Sequence, residues 1–128
     1  MTTEFTLTPH ADHLHVALAP GYELSPQGAT ELMKSVSDVC ARHGQRRVLI
    51  EGTVAARRMA TMDSYAIGAL AGSMLAGVSL ACCFHGYRPD DQSQFFKDVA
   101  QNRGVRVEFF AERGEALRWL GVGPAQPV

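Results

Sequence analysis

The chain has 128 residues, enough for one domain with its own core, and 46% apolar and 20% charged residues are ordinary for a globular protein. A formal net charge of −1, with no run of Lys or Arg, excludes a strong field drawing it to nucleic acid. Three cysteines, two of them adjacent as Cys82 and Cys83 and none in C-x-x-C spacing, fit a reducing compartment and a cytoplasmic location rather than a disulfide framework.

The first residues, Met1-Thr2-Thr3-Glu4-Phe5-Thr6, lack the basic start and apolar run of a signal peptide. Phe5-Thr6-Leu7-Thr8 and Leu14-His15-Val16-Ala17-Leu18 then alternate as half-buried strands do, with residues 10–12 as a short turn between them. Ser25-Pro26 opens a helix, Ser25 as N-cap and Pro26 at the first helical position. Its Ala29, Leu32, Met33, Val36, Val39 and Cys40 fall on one stripe, so the helix lies on a sheet with its other face in water; Gly44 ends it.

Val48-Leu49-Ile50 is a short continuous apolar run, the mark of a central parallel strand. Residues 52–60 read as a loop carrying Arg57 and Arg58, and residues 63–76 as a helix that is apolar or small almost all round. Such a helix is either deeply packed or shared with a partner. Gly68 and Gly72, one turn apart, allow close backbone approach: to the chain's own sheet in the first reading, to a second copy in a homodimer in the other.

Residues 65–84 carry no charge over nearly the length of a bilayer span. Glycines and serines dilute the stretch and Gly77 divides it, so a buried helix followed by a buried strand over 78–84 is expected, with no transmembrane span. Asp90 or Asp91 caps a third helix with Phe95, Phe96 and Val99 inward, stopped at Asn102-Arg103-Gly104. Residues 105–110 form a last strand, and residues 112–120 a short helix anchored by Ala116, Leu117, Trp119 and Leu120. The order β-β-α-β-α-β-α-β-α predicts an α/β fold: a mostly parallel five-stranded sheet with one antiparallel edge strand, in a single domain over 1–121 followed by a flexible tail over 122–128. Ligands of such sheets bind at the carboxyl ends of the strands, where the loop before Ser64 and the turn at 85–89 both lie.

At Met62-Asp63-Ser64-Tyr65-Ala66-Ile67-Gly68-Ala69-Leu70 the chain resembles the STAS domain shared by sulphate transporters and anti-sigma factor antagonists, whose pattern is Met/Ile-Asp-Ser-Ser-Gly-Leu-Gly-x-Leu at a helix start. Residues 99–107 and 115–120 look more like its divergent SpoIIAA-like branch. Tyr65 and Ala66 stand where the family has Ser-Gly, and Glu51 stands where it usually has Asp. In antagonists a partner kinase phosphorylates the first serine of the motif, and the resemblance puts that role on Ser64, beside Asp63. It thus implies a non-enzymatic regulatory module with a kinase or anti-sigma factor class of partner. The SpoIIAA-like branch implies instead a small apolar ligand, or peripheral membrane association, between mobile helices.

The residues support both surfaces. Asp63 or Thr61 can cap the helix, and a phosphate on Ser64 would meet the unpaired amides of the first turn. Arg57 and Arg58 could meet that phosphate or an acidic partner through paired hydrogen bonds, and Tyr65 stands where a partner would approach. For an apolar ligand, the lining would be Tyr65, Leu70, Met74, Phe95, Phe96 and Trp119. His13 and His15, two apart and near His10, present one polar strand face; with no Cys or carboxylate cluster completing them, no metal and no cofactor is expected. Cys82 and Cys83 read as small core residues on opposite faces of one strand. A Ser64–His85–Asp90 hydrolase lacks the nucleophile-elbow glycines, and neither a P-loop nor a G-x-G-x-x-G is present, so no enzyme is expected.

Overall fold

Alternating apolar residues near the start produce the expected hairpin. β1 (Phe5–Pro9) pairs antiparallel with β2 (Leu14–Leu18), Leu7 opposite Val16, and His10 N–H donates to His13 C=O across the turn. The structure, a computed structural model, describes residues 5–20, 22–53, 56–57, 61–85 and 91–122. A two-residue strand that periodicity cannot signal, β3 (Glu23–Leu24), precedes α1 (Pro26–His43). Ser25 caps α1 by accepting from Gly28 N–H at 3.1 Å, and Gly44 ends it with φ +66°, a left-handed conformation that costs glycine nothing.

β4 (Arg47–Gly52) is the central strand, with Val48, Leu49 and Ile50 all buried. It pairs in parallel with β2 on one side and with β6 (Ser79–Phe84) on the other. The stretch expected to be loop from 52 to 60 is partly extended: Gly52 belongs to β4, and β5 (Ala56–Arg57) pairs in parallel with β3. This separate ribbon joins the connection before α1 to the connection before α2 (Thr61–Met74). α2 starts and stops two residues earlier than its composition suggested. After it, α3 (Asp91–Gln101), β7 (Arg106–Phe110) and α4 (Arg113–Leu120) complete the chain, with β7 parallel to β6.

The main sheet runs β1-β2-β4-β6-β7, a five-stranded mixed sheet with the antiparallel strand at its edge. Each parallel crossover steps in the same direction, so crossovers of one hand put their helices on one face. Residues of α1, α2 and α3 accordingly share one core with Leu14, Val16, Val48, Ile50 and Leu80. The opposite face holds a smaller core, in which Ala116, Leu117 and Leu120 of α4 pack on Leu49, Ala81 and Cys83. Val122, expected to begin the tail, is buried in that second core and its N–H donates to Leu117 C=O at 3.2 Å. α4 is therefore clamped at its end rather than frayed.

The two glycines of α2 meet α3. A Cβ at Gly68 would lie 2.9 Å from Val99 Cβ and 3.2 Å from Phe96 O, and one at Gly72 would run into the Arg103 side chain. The close approach at these glycines is to α3 of the same chain rather than to the sheet. Among the described residues, no helix is long and apolar enough to cross a membrane.

Candidate functional site

Strand alternation sends Leu14, Val16, Val48, Ile50, Leu80 and Cys82 to the three-helix face. His15, Leu49, Glu51, Ala81 and Cys83 therefore take the face that α4 partly covers. Parallel register sets Glu51 directly beside Cys83, and His85 follows Cys83 by two residues at the same sheet end. The ladder continues past β6, since His85 N–H donates to Gly52 C=O at 3.0 Å. Arg113 enters from above, as the first residue of α4.

Glu51 is the hub of this group. Its Oε1 lies 3.0 Å from His15 Nε2, 2.6 Å from Arg113 Nη2 and 3.1 Å from Arg113 Nε. Because a carboxylate only accepts, His15 carries its proton on Nε2. Oε2 has longer contacts, 3.2 Å to Arg113 Nε and 3.4 Å to His85 Nε2. Burial pushes this carboxyl up, but the hydrogen bonds and positive charge of Arg113, with the bond from His15, outweigh it and hold it below its usual range.

Cys83 is wholly buried, and burial pushes its thiol up. The negative charges of Glu51 and Glu112 push it further against the pull of Arg113. With no bound cation it is a neutral thiol, which lacks the thiolate that nucleophilic attack requires. The ligand atoms of Glu51, Cys83 and His85 all lie within 4.8 Å of one another, and among the described residues this is the group of three that could hold a metal ion.

Sequence reasoning passed over this group. Spacing alone offers His10, His13 and His15 as ligands, with no Cys or carboxylate to join them. In the structure the His10 and His13 rings stack at 4.9 Å, His13 precedes β2 rather than lying in it, and its Nδ1 sits 2.7 Å from Asp12 Oδ1. His15 turns instead to Glu51. The available signal was Cys83-x-His85 at a strand end with Glu51 at the end of another strand, but it needs the β4–β6 register to be known.

The residues expected to meet a protein partner fall near the same sheet end in part. Asp63 and Ser64 lie in the first turn of α2 and Arg57 in β5; their side chains, and all of Arg58, lie outside the described residues. Asp90, the third member of the hydrolase arrangement, is also outside them. Tyr65 is described, and at 43% exposure it is the exposed large apolar side chain of this surface. Arg103 holds it, with Nη2 3.2 Å from the phenol oxygen and the guanidinium 5.5 Å from the ring centroid, while the Phe95 ring centroid lies 6.3 Å from that of Tyr65.

Of the residues expected to line an apolar pocket, Trp119 stands apart from the others. Met74 and Phe96 pack on the three-helix core, and Tyr65 meets Phe95 at its rim. Trp119 is on the opposite side of the sheet, 5.8 Å from Phe110 and with Arg106 over its ring at 4.8 Å. Helical spacing alone could not say which face of the sheet α4 would cover. No protein-family model matches the chain, and no curated protein sequence matches it.

Proposed function

We propose that this chain is a non-enzymatic, STAS-like regulatory module that recognises a protein partner at the amino end of α2, with phosphorylation of Ser64 as its switch. The observation that carries the reading is Tyr65: a large ring, exposed at 43%, braced by Arg103 one residue after Ser64. Tyrosine and arginine are the residue types that anchor interfaces, and a ring already held in place loses little freedom on binding. A phosphate beside it would bring a charge of about −1.5 to −2 to a surface that must be desolvated on docking. The buried, neutral thiol of Cys83 is in keeping with a role that involves no nucleophile.

The test is binding to a serine kinase of the anti-sigma class, measured by calorimetry. Ser64→Asp and Tyr65→Ala should each weaken the complex by about tenfold or more, equivalent to about 1.4 kcal/mol, while leaving the melting temperature almost unchanged. Equal affinity of wild type and both variants would refute it. Binding of an apolar ligand between α2 and α3 ranks second, because it requires the helices to part at Gly68 and Gly72, where they are interlocked.

A further inference from the structure

We infer that Glu51, Cys83 and His85 form a binding site for one divalent transition-metal ion of the zinc class, held at the carboxyl end of the central parallel strands. The site is independent of the partner surface around Tyr65 and rests on geometry of its own.

Three observations support it. First, the spacing suits a tetrahedral ion. Zinc bonds of about 2.0 Å to oxygen and nitrogen and about 2.3 Å to sulfur require ligand-to-ligand edges of about 3.3–3.5 Å. Glu51 Oε2 and His85 Nε2 are 3.4 Å apart, too long for a good hydrogen bond but suited to that edge. The ligand atoms of all three residues lie within 4.8 Å of one another, so shifts of about 1 Å, by the 53% exposed His85 ring and by the Glu51 and Cys83 side chains, bring the remaining sides to that length.

Second, the carboxylate is already divided between two tasks. Oε1 is occupied by His15 and by Arg113 Nη2 at short distance, whereas among the described residues Oε2 has only the longer contacts. A ligating carboxylate is commonly oriented in this way, one oxygen on the metal and the other fixed by neighbouring donors. Third, the ligand chemistry is selective. Thiolate, imidazole and carboxylate together suit zinc or cobalt, while magnesium and calcium take oxygen ligands. Three protein ligands leave a fourth position for water.

Binding is balanced by one proton. The Cys83 S–H bond breaks as the sulfur–metal bond forms, and the proton passes to the buffer. The ion and the new thiolate together add one positive charge, beside the carboxylates of Glu51 and Glu112, the latter near enough to act on Cys83.

The experiment uses the full chain, stripped with a chelator and titrated with Zn²⁺ by calorimetry and with Co²⁺ by absorption. One equivalent should bind with release of about one proton, and Co²⁺ should show a sulfur-to-metal charge-transfer band in the near ultraviolet. Cys83→Ser should abolish that band, whereas Cys40→Ser and Cys82→Ser should keep it. Because Cys83 is a core residue, His85→Gln, at an exposed position, is the second variant: affinity should fall at least about a hundredfold with the metal-free protein still folded. His15→Gln should weaken binding by about tenfold, as loss of a group orienting a ligand does. No saturable binding, binding without the sulfur band, or unchanged affinity in His85→Gln would each overturn the proposal.

Discussion

Arg113, the first residue of α4, clasps Glu51 near the carboxyl end of β4, with Nη2 2.6 Å from Oε1 and Nε within 3.2 Å of both carboxylate oxygens. This two-point contact ties the helix on one face of the sheet to the central strand. It also holds the Glu51 carboxyl below its usual range, against the opposing effect of burial.

Stability in acid should follow from that contact. A carboxyl whose folded-state pKa is depressed contributes stability above its unfolded value and loses that contribution as pH falls through the folded one. In chelator-treated protein the loss should set in as pH drops below the ordinary glutamate value of 4.5. Arg113 is half exposed, so solvent screens the pair, and Arg113→Ala should cost about 1 kcal/mol at neutral pH. Urea unfolding of wild type and Arg113→Ala from neutral pH to pH 3 checks this: the difference should shrink toward the acid end, and a constant difference would contradict it.

Gly68→Ala tests the contact between α2 and α3. In an exposed helix alanine would be favoured over glycine by about 1 kcal/mol. Here its methyl would sit 2.9 Å from Val99 Cβ and 3.2 Å from the Phe96 carbonyl oxygen, a backbone atom that cannot swing aside. Overpacking should win, with a net destabilisation of about 1–3 kcal/mol. Thermal or urea unfolding gives the sign directly, and a stabilised variant would mean that the helices stand farther apart.

The three cysteines should resist thiol reagents in the native protein. All are buried; burial pushes Cys40 and Cys83 up, and Cys82 is pushed up to about 12 by burial together with the charges of Cys83 and Glu108. Thiolate, the reactive form, is therefore scarce at neutral pH. Titration with a chromogenic disulfide should find fewer than one fast thiol per native chain and three after denaturation, the number of cysteines present. Rapid modification of the native protein would contradict the burial described.

The elements with strong periodicity were legible before any coordinates. Ser25-Pro26 and Gly44 bracket α1 because capping and left-handed backbone are local requirements that residue type announces. The apolar run Val48-Leu49-Ile50 announced the central strand for an equally simple reason: both its faces are covered. β3 and β5 left no such trace, since two residues have no period. The packing of Gly68 and Gly72 was half legible: the glycines signalled close approach, but only the fold names α3 as what approaches. The Glu51–Cys83–His85 group was illegible for a stronger reason. Its members come from two strands and become neighbours through register, a property of the pairing that neither strand carries alone.

The ribbon of β3 with β5 has a consequence for how this protein can vary. It is joined by main-chain groups, Glu23 opposite Ala56 and Leu24 opposite Arg57. Proline brings no amide hydrogen to such a pairing. A proline at any position whose amide serves that pairing would loosen the splint between two distant connections, and with it the point from which α2 departs.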